Sequence, residues 1–399
     1  MENQNLPSRA TVALVDWTMS GHHDTYMRLF ARTLLDGGHR VIALWPEPGR
    51  LPGAPESQEG AASNPRFASA YFHRPKCLLA PRSLRYWAEA GIAARNMKNA
   101  IAACEKRLGE KCDFIFFNTL YEKQHWLVQA LADAGARPWS FLYLHTSSLP
   151  PHSHENPGMM RLLQHPMLRA IGVLDERSIT PGGGLTGRRF VRFPDFTDES
   201  RVPGHPFERE LRAFKGDAPL VLSIGHLRKE KGVMTLAGLA QNPAARSLRF
   251  AFVGECRLKG RERDVMDRLR HNANVLLKLG RIPGEAAYNA CICASDVLFA
   301  AYHDFNHSSN TLTKAAVFEK PVIVSADSLM AERTLRHRLG EVVRQKDIES
   351  TLEGITRITN DCRGWINRAN PDYEGYRRLH SKAQLHQAFD TLLREYDLR

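Results

Sequence analysis

Residues 11–45 have the sequence TVALVDWTMSGHHDTYMRLFARTLLDGGHRVIALW, in which two strand patterns enclose a helix pattern. The segments TVALVDW and RVIALW are short, nearly continuous apolar runs, which predict buried strands. Between them, apolar residues recur at the i, i+3, i+4, i+7 and i+8 spacing of one helical face. These residues are Met27, Phe30, Ala31, Leu34 and Leu35. The stretch therefore predicts a strand–helix–strand unit of a parallel sheet.

The same alternation continues along most of the chain. The first half has further strand patterns at DFIFF, SFLYLH, AIGVLDE and RFVRF. The composition changes over 195–217, as expected of a connection between domains, and the alternation then restarts with PLVLSIG, RFAFVGE, NVLLKLG, SDVLFAA, KPVIVS and GEVVR. We predict an α/β protein with two doubly wound, Rossmann-like domains that face each other across a cleft. Their predicted bounds are 1–196 and 197–380, with a C-terminal helix at 381–399 that packs back on the first domain.

Composition narrows the range of functions. The chain of 399 residues has 55 Lys and Arg against 43 Asp and Glu, which gives a net charge of +12. The basic excess is scattered, and no helix has groove-reading spacing, so nucleic acid is not an expected partner. The seven cysteines are irregularly spaced, and no apolar run approaches the length of a membrane span. We expect a cytoplasmic protein, with a mobile Pro-, Gly- and Ser-rich loop over 47–65.

Polar residues after the strands mark the candidate sites, because ligands of open α/β sheets collect beyond the carboxyl ends of the strands. The first such turn, TMSGHH, has a single glycine and therefore lacks the dinucleotide-binding fingerprint. Ser20, Gly21 and His22 are candidates for meeting an acceptor at the start of a helix. The alternative is a turn that needs one flexible residue. Asp175 and Glu176 end another strand and are candidates for the acceptor side.

A second site is predicted in SIGHLRKEKGVMTL, residues 223–236. A buried strand stops at Gly225, basic residues follow at Arg228 and Lys231, and Gly232 opens a helix. The N–H groups at a helix start and a lysine together suit a diphosphate. The alternative is a solvated run of charges.

The stretch AYHDFNHSSNTLTKAAVFEKPVIVS, residues 301–325, contains a third candidate site. Its helix is predicted to begin near Ser308, Ser309 and Asn310, whose side chains suit capping and whose N–H groups suit an anion. The alternative is capping alone. Lys314 lies inside the helix, where we expect it to pair with a phosphate or a nearby acid.

Taken in order, these landmarks resemble the retaining GT-B glycosyltransferases, a family that includes glycogen synthases, sucrose synthases and bacterial mannosyl- and glucosyltransferases. In the second half the matching residues are Gly225-His226-Leu227 with Lys231-Gly232, Phe252-Val253-Gly254, Gly280-Arg281, Ser295-Asp296-Val297 and Lys320-Pro321-Val322. In the first half they are the Ser20-Gly21 turn, GGHRVIAL, His145 at a strand end and VRFPDF. The resemblance covers most of residues 11–345.

The resemblance also implies roles, and this chain departs from several of them. Two family glutamates, one for the donor sugar and one for the ribose, correspond to Asn306 and Lys314. Ser308 and Ser309 stand where the family has Phe-Gly, and His226 replaces a phosphate-binding arginine, with Arg228 as its substitute. The resemblance places His145 against the donor sugar. An ammonium group cannot accept hydrogen bonds from ribose hydroxyls as a carboxylate does.

The function implied is that of a hexosyltransferase-like enzyme of polysaccharide biosynthesis that uses a nucleotide-diphosphate sugar, with retention and without a metal or another cofactor. Cys291 and Cys293 lack partners at zinc spacing, and we expect them in the core. The acceptor is a glycan, a lipid-linked sugar or a small molecule. The segment 72–100 mixes basic and apolar residues, which suits peripheral binding to an anionic membrane or, alternatively, an ordinary amphipathic helix. Two other functions stay open: a catalytically impaired relative that binds a sugar nucleotide or a protein, and a sugar-nucleotide epimerase.

Overall fold

The structure is a computed structural model, and it describes residues 10–17, 23–46, 64–73, 82–120, 125–144 and 157–397. The chain divides into two compact units. Unit 1 comprises Met1–Pro194 and Lys382–Arg399, and unit 2 comprises Asp195–Ser381. Each unit is built on a parallel sheet with helical connections, so the predicted α/β class with two doubly wound domains is confirmed.

Unit 1 contains a seven-stranded sheet with the order β3-β2-β1-β4-β5-β6-β7. Its strands are β1 (Thr11–Val15), β2 (Arg40–Pro46), β3 (Phe67–Phe72), β4 (Phe114–Leu120), β5 (Trp139–Tyr143), β6 (Leu168–Val173) and β7 (Arg189–Arg192). The helices before residue 195 are α1 (His23–Asp36), α2 (Arg82–Leu108), α3 (His125–Gly135), α4 (Pro157–Leu163) and α5 (Ile179–Thr186). The strand order reverses between β1 and β4, which is the switch point of this sheet.

Unit 2 contains a six-stranded sheet with the order β10-β9-β8-β11-β12-β13. Its strands are β8 (Leu220–Ile224), β9 (Arg249–Gly254), β10 (Val275–Leu279), β11 (Val297–Ala300), β12 (Val322–Ser325) and β13 (Gly340–Val343). Its helices are α6 (Pro206–Lys215), α7 (Val233–Ala240), α8 (Arg261–Arg268), α9 (Gly284–Ala294), α10 (Asn310–Val317), α11 (Leu329–His337), α12 (Ile348–Thr359), α13 (Cys362–Ala369) and α14 (Tyr373–Leu379). The switch point lies between β8 and β11.

The last helix, α15 (Lys382–Asp397), is part of unit 1 although it follows unit 2 in the chain. The ring of Phe389 on α15 lies 5.3 Å from Phe30, 5.2 Å from Phe116 and 5.3 Å from Phe193, measured between centroids. All four rings are buried. The core of unit 1 is therefore closed by a segment from the end of the chain.

Every strand pattern identified in the sequence corresponds to a strand, and β3 is an additional one. It pairs with β2 alone and is half-buried, as expected of an edge strand. Nearly all of the loop predicted over 47–65 lies outside the described residues. No helix in the described part of the chain is both long enough and apolar enough to cross a membrane.

Candidate functional site

The switch point of unit 2 brings two loops together. The β8 loop (residues 225–232) follows β8, and the β11 loop (residues 301–309) follows the neighbouring strand β11. The N–H of His303 donates to the carbonyl of Glu230 at 2.8 Å, which ties one loop to the other. Both loops were predicted as ligand sites, and the crevice outside such a switch point is where open α/β sheets bind ligands.

Glycines allow the backbones around the β8 loop to approach closely. Gly254, at the end of β9, has a φ of +131°, and a Cβ there would lie 2.0 Å from the carbonyl oxygen of Gly225. Gly232 has a φ of +66°, and a Cβ there would lie 2.2 Å from the carbonyl oxygen of Ala301. Neither position can accept a larger residue without moving backbone, so both loops depend on glycine.

Lys231 places a cation at this switch point. Its Nζ donates to the hydroxyl of Tyr302 at 2.9 Å, and that hydroxyl lies 3.0 Å from Oγ1 of Thr311 at the start of α10. Burial opposes ionisation of Tyr302, but the charge and hydrogen bond of Lys231 lower the pKa of its phenol. The ammonium is thus fixed between the β8 loop and the first turn of α10.

His226 and Arg228 are the other polar candidates of the β8 loop. Nε2 of His226 lies 3.5 Å from the carboxylate of Glu255, yet burial and the nearby Arg257 lower the pKa of the imidazole. His226 is therefore largely neutral at pH 7 and adds no full charge before a ligand binds. Arg228 is exposed and begins the short 3-10 helix Lys229–Lys231.

The start of α10 is where the sequence predicted it, at Asn310 with Ser309 as its cap. Oγ of Ser309 accepts from the N–H of Thr311 at 3.4 Å. The side-chain amide of Asn310 donates to the carbonyl of Phe196 at 2.7 Å and accepts from Oγ1 of Thr197 at 2.9 Å. The Asn310 side chain thus holds residues 196–197 in place, while the first N–H groups of a helix are suited to an anion.

Ser308 is bound in a similar way by buried groups of unit 2. Its hydroxyl donates to Oδ2 of Asp195 at 2.5 Å and accepts from the guanidinium of Arg333 at 2.5 Å. Asp195 is 1% exposed, and its own N–H donates to Nδ1 of His380 at 2.9 Å. Asp195 organises the β11 loop, and sequence reasoning missed it. Its position in VRFPDF, next to an apolar run, was the available signal.

Asn306, predicted to meet the donor sugar, contacts the start of α11. Its Oδ1 accepts from the N–H of Leu329, the first residue of α11, at 3.1 Å. The side chain is otherwise on the exposed part of the β11 loop. Its amide oxygen therefore sets the position of the loop against α11.

Lys314 is 3% exposed and pairs with an acid. Its Nζ lies 2.9 Å from Oε2 of Glu285 and 2.6 Å from Oδ1 of Asn289, both on α9. It also donates to the carbonyl of Asp198 at 3.3 Å. The charge of Lys314 is thus balanced inside the protein by the carboxylate of Glu285. The side chain of Glu285 is 32% exposed.

In unit 1, four predicted residues, Ser20, Gly21, His22 and His145, lie outside the described residues. Asp175 is buried and caps the 3-10 helix Glu176–Ser178, and both its carboxylate oxygens accept from the guanidinium of Arg177 at 2.8 and 2.9 Å. Glu176 follows it at the carboxyl end of β6.

The switch point of unit 1 holds a buried pair that sequence reasoning missed. Nδ1 of His23 lies 3.0 Å from the carboxylate of Asp16 and 3.4 Å from Oγ1 of Thr119. Asp16 follows β1, and Thr119 lies on β4. An acid directly after a buried strand was the signal.

The cysteines of α9 differ in their surroundings. Cys291 is buried, as expected, and burial raises the pKa of its thiol to about 12. Cys293 is only half-buried, contrary to the expectation that it lies in the core. Among the described residues, no group of three or more His, Cys, Asp or Glu side chains is arranged to hold a metal ion.

Comparison with known proteins identifies the fold. Residues 205–378 match the model of the family "Glycosyl transferases group 1". Sucrose-phosphate synthase from Thermosynechococcus elongatus has a TM-score of 0.70 at 17% identity, covering 98% of this chain and 100% of that chain. HepE of Anabaena, solved with UDP and glucose, has a TM-score of 0.68 at 15% identity. The match covers 96% of this chain and 99% of that chain.

A third structure, WaaG, a glycosyltransferase involved in lipopolysaccharide biosynthesis, has a TM-score of 0.63 at 15% identity, with 96% of this chain and 99% of that chain covered. No curated protein matches the sequence significantly. The fold is GT-B, and the resemblance to group 1 glycosyltransferases is confirmed.

Proposed function

We propose, from the premise that residues 205–378 are a group 1 glycosyltransferase segment, that this protein transfers a sugar from a nucleotide-diphosphate sugar to an acceptor. The observation that carries the proposal is the position of Lys231. Its ammonium lies at the switch point of unit 2, beside the first turn of α10, between two loops whose backbones approach closely through glycine. A cation beside the N–H groups of a helix start suits a diphosphate.

The chemistry follows from the charges that develop during transfer. The sugar becomes positive and the leaving diphosphate becomes negative, so donors placed at the diphosphate stabilise the transition state. We assign this role to Lys231, to Arg228 and His226, and to the N–H groups at Ser309 and Asn310. On the sugar side we assign Asn306 and, from the resemblance alone, His145 and retention of configuration.

Lys314 contributes to binding of the donor nucleoside indirectly, through Glu285. Lys314 cannot accept hydrogen bonds, but it holds Glu285 at 2.9 Å, and that carboxylate is partly exposed. We assign Glu285 to the ribose hydroxyls and Lys314 to the positioning of Glu285. This arrangement supplies an acceptor although the lysine itself cannot.

The donor base and the acceptor are further parts of the proposal. HepE was solved with UDP, which favours a UDP-sugar, and WaaG acts in lipopolysaccharide biosynthesis, which favours a carbohydrate or lipid-linked acceptor. On α2 the side chains of Trp87 and Ile92 are 66% and 40% exposed, and Arg95 and Lys98 on the same helix are exposed too. An exposed tryptophan on a helix that also carries exposed basic residues suits the surface of an anionic membrane on its cytoplasmic side.

Thermal-shift measurements with UDP, GDP, ADP and their sugars test the proposal. We expect one nucleotide to raise the melting temperature and its sugar to be slowly hydrolysed, also in the presence of EDTA. Stabilisation without turnover toward any carbohydrate acceptor would favour a binding protein, and conversion of the sugar nucleotide to an epimer would favour an epimerase. Failure of every nucleotide to bind would contradict the proposal.

Membrane binding is tested separately by vesicle flotation. We expect the protein to float with vesicles that contain anionic lipid, and we expect Trp87→Ser to reduce that fraction. Equal flotation of wild type and variant, or none with anionic vesicles, would contradict this part.

A further inference from the structure

A pocket of unit 2 lies at the end of the sheet where the strands begin. The β8 and β11 loops lie at the other end, where the strands finish. The walls of the pocket come from α6, which precedes β8, from the last turn of α9, which precedes β11, and from Phe318 and Lys320, which precede β12. All three strands start at this end, so the pocket is separate from the proposed donor site. Its volume is about 300 Å³, which is at the small end of ligand pockets.

Three cationic side chains line this pocket, and each of them donates to a backbone carbonyl. Nζ of Lys320 donates to the carbonyl of Cys293 at 3.1 Å, and Arg212 donates to the same carbonyl at 3.4 Å. Arg201 donates to the carbonyl of Val317 at 3.3 Å and lies 4.8 Å from the ring centroid of Phe318.

The negative charge around the pocket does not balance these cations. Glu208 is the acid of the lining, and it is paired with Arg212 at 2.8 Å. In the described part of the chain, neither Arg201 nor Lys320 has a carboxylate within 4.0 Å. Asp296, an acid whose charge acts on Lys320, is itself bound by Lys215 at 2.7 Å. Burial accordingly lowers the pKa of Lys320.

The carbonyl ends of α9 and α10 offset part of the positive charge, because a helix C-terminus carries a partial negative charge. Two partial charges of about one half each leave a net positive pocket. Apolar walls from Val202, Pro203 and Phe318 adjoin the cations. The pocket thus offers cationic donors for an anion and an apolar surface for a small organic body.

We propose that this pocket is a second binding site, for the phosphate group of a small phosphorylated metabolite. Arg201 and Lys320 supply the donors that the phosphate oxygens accept from, and Arg212 remains bridged to Glu208. A phosphate dianion supplies the charge that both cations lack. The site does not depend on the proposed sugar transfer, because it shares no residue with the donor loops.

Isothermal titration with inorganic phosphate and with glucose 6-phosphate tests the proposal on the full chain. We expect both to bind in the presence of saturating chloride, and the sugar phosphate to bind more tightly because the apolar wall adds contact. Arg201→Gln and Lys320→Gln should each weaken binding about tenfold. Arg201 is exposed, so its variant should fold normally.

Two controls make the result specific. Arg270→Gln removes an exposed cation that is paired with Asp267 at 3.7 Å, and it should leave phosphate binding unchanged. Lys231→Ala should weaken nucleotide binding and leave phosphate binding at this pocket intact. An equal loss in Arg270→Gln, undiminished binding in both pocket variants, or no binding of either phosphate by the wild type would overturn the proposal.

Discussion

Lys231 and Lys229 belong to the same 3-10 helix but face different surroundings. Nζ of Lys231 donates to Tyr302 inside the switch point, whereas Nζ of Lys229 lies 3.4 Å from Glu262 and its side chain is 69% exposed. We expect Lys231→Ala to weaken nucleotide-diphosphate binding by about 1.5–3 kcal/mol, as for hydrogen bonds to charged groups. Calorimetric titration measures it. Lys229→Ala is the control with the same change of net charge, and equal losses in both variants would mean that the effect is unspecific.

His226 predicts a pH dependence of donor binding. Burial lowers its pKa in the free protein, so it is neutral above that pKa, and a bound diphosphate raises the pKa by stabilising the imidazolium. Affinity for a nucleotide sugar should therefore rise as the pH falls through the bound-state pKa, and level off below the free-state pKa. A nucleotide sugar has no phosphate ionisation near neutrality, so titrations between pH 5.5 and 8 isolate the histidine. His226→Gln should be pH-independent in this range, and a wild type that is equally flat would contradict the assignment.

Residue types near the site were predictable, but several partners were not. The sequence indicated an anion site at Ser308, Ser309 and Asn310, yet the side chains of Ser308 and Asn310 bond to residues 195 and 196 instead. The partner of Lys314 lies 29 residues earlier, on another helix, and neither spacing nor charge pattern points to Glu285. Such pairings depend on how α9 and α10 pack, which a local pattern does not contain.

At the scale of elements, the backbones at the ends of β8 and β9 can approach each other closely only because Gly254 has no side chain. Gly254→Ala requires a backbone shift at Gly225, whereas Gly280, at a similar φ of +151°, has no atom within 4 Å of an added Cβ. We expect Gly280→Ala to cost about 1–3 kcal/mol from backbone conformation alone. Gly254→Ala should cost about 2 kcal/mol more and reduce nucleotide binding. Chemical denaturation and titration measure both, and equal stability of the two variants would contradict the steric argument.

The ion pair between α10 and α9 gives a second test at this scale. Lys314→Glu places two carboxylates together in a largely buried position and should destabilise the protein by about 3 kcal/mol or more. The double variant Lys314→Glu with Glu285→Lys restores opposite charges and should recover much of that loss. Chemical denaturation of both variants measures the two changes in the free energy of unfolding. If the double variant is no more stable than the single one, the pair is not what holds these helices.

Strands with continuous apolar runs were the predictable part of the fold. Strands such as β1 and β8 are buried on both faces and are therefore continuous apolar runs. The edge strand β3 escaped notice because Ala68, Ser69 and Ala70 give it little apolar contrast. Its stability comes from pairing with β2, a contact between distant residues.

At the scale of the whole molecule, the chain leaves unit 1 at Pro194 and returns to it at Lys382. Unit 2 is continuous in sequence, whereas unit 1 is assembled from two segments. Each unit has buried residues in its interior, with Phe116 among those of unit 1 and Phe250 among those of unit 2. Local disruption of one core should therefore be felt first within its own unit.

Phe389 on α15 tests this organisation. Its ring is 2% exposed and packs against Phe30, Phe116 and Phe193, so Phe389→Ala should cost about 3–5 kcal/mol. Because these partners all belong to unit 1, hydrogen exchange should accelerate in β1, β4 and β6 and stay unchanged in β8 to β13. Phe250→Ala, in the core of unit 2, is the reciprocal variant and should show the opposite distribution. In sequence, residue 389 is separated from β7 by all of unit 2. If hydrogen exchange in Phe389→Ala became faster only in unit 2, α15 would not be part of the core of unit 1.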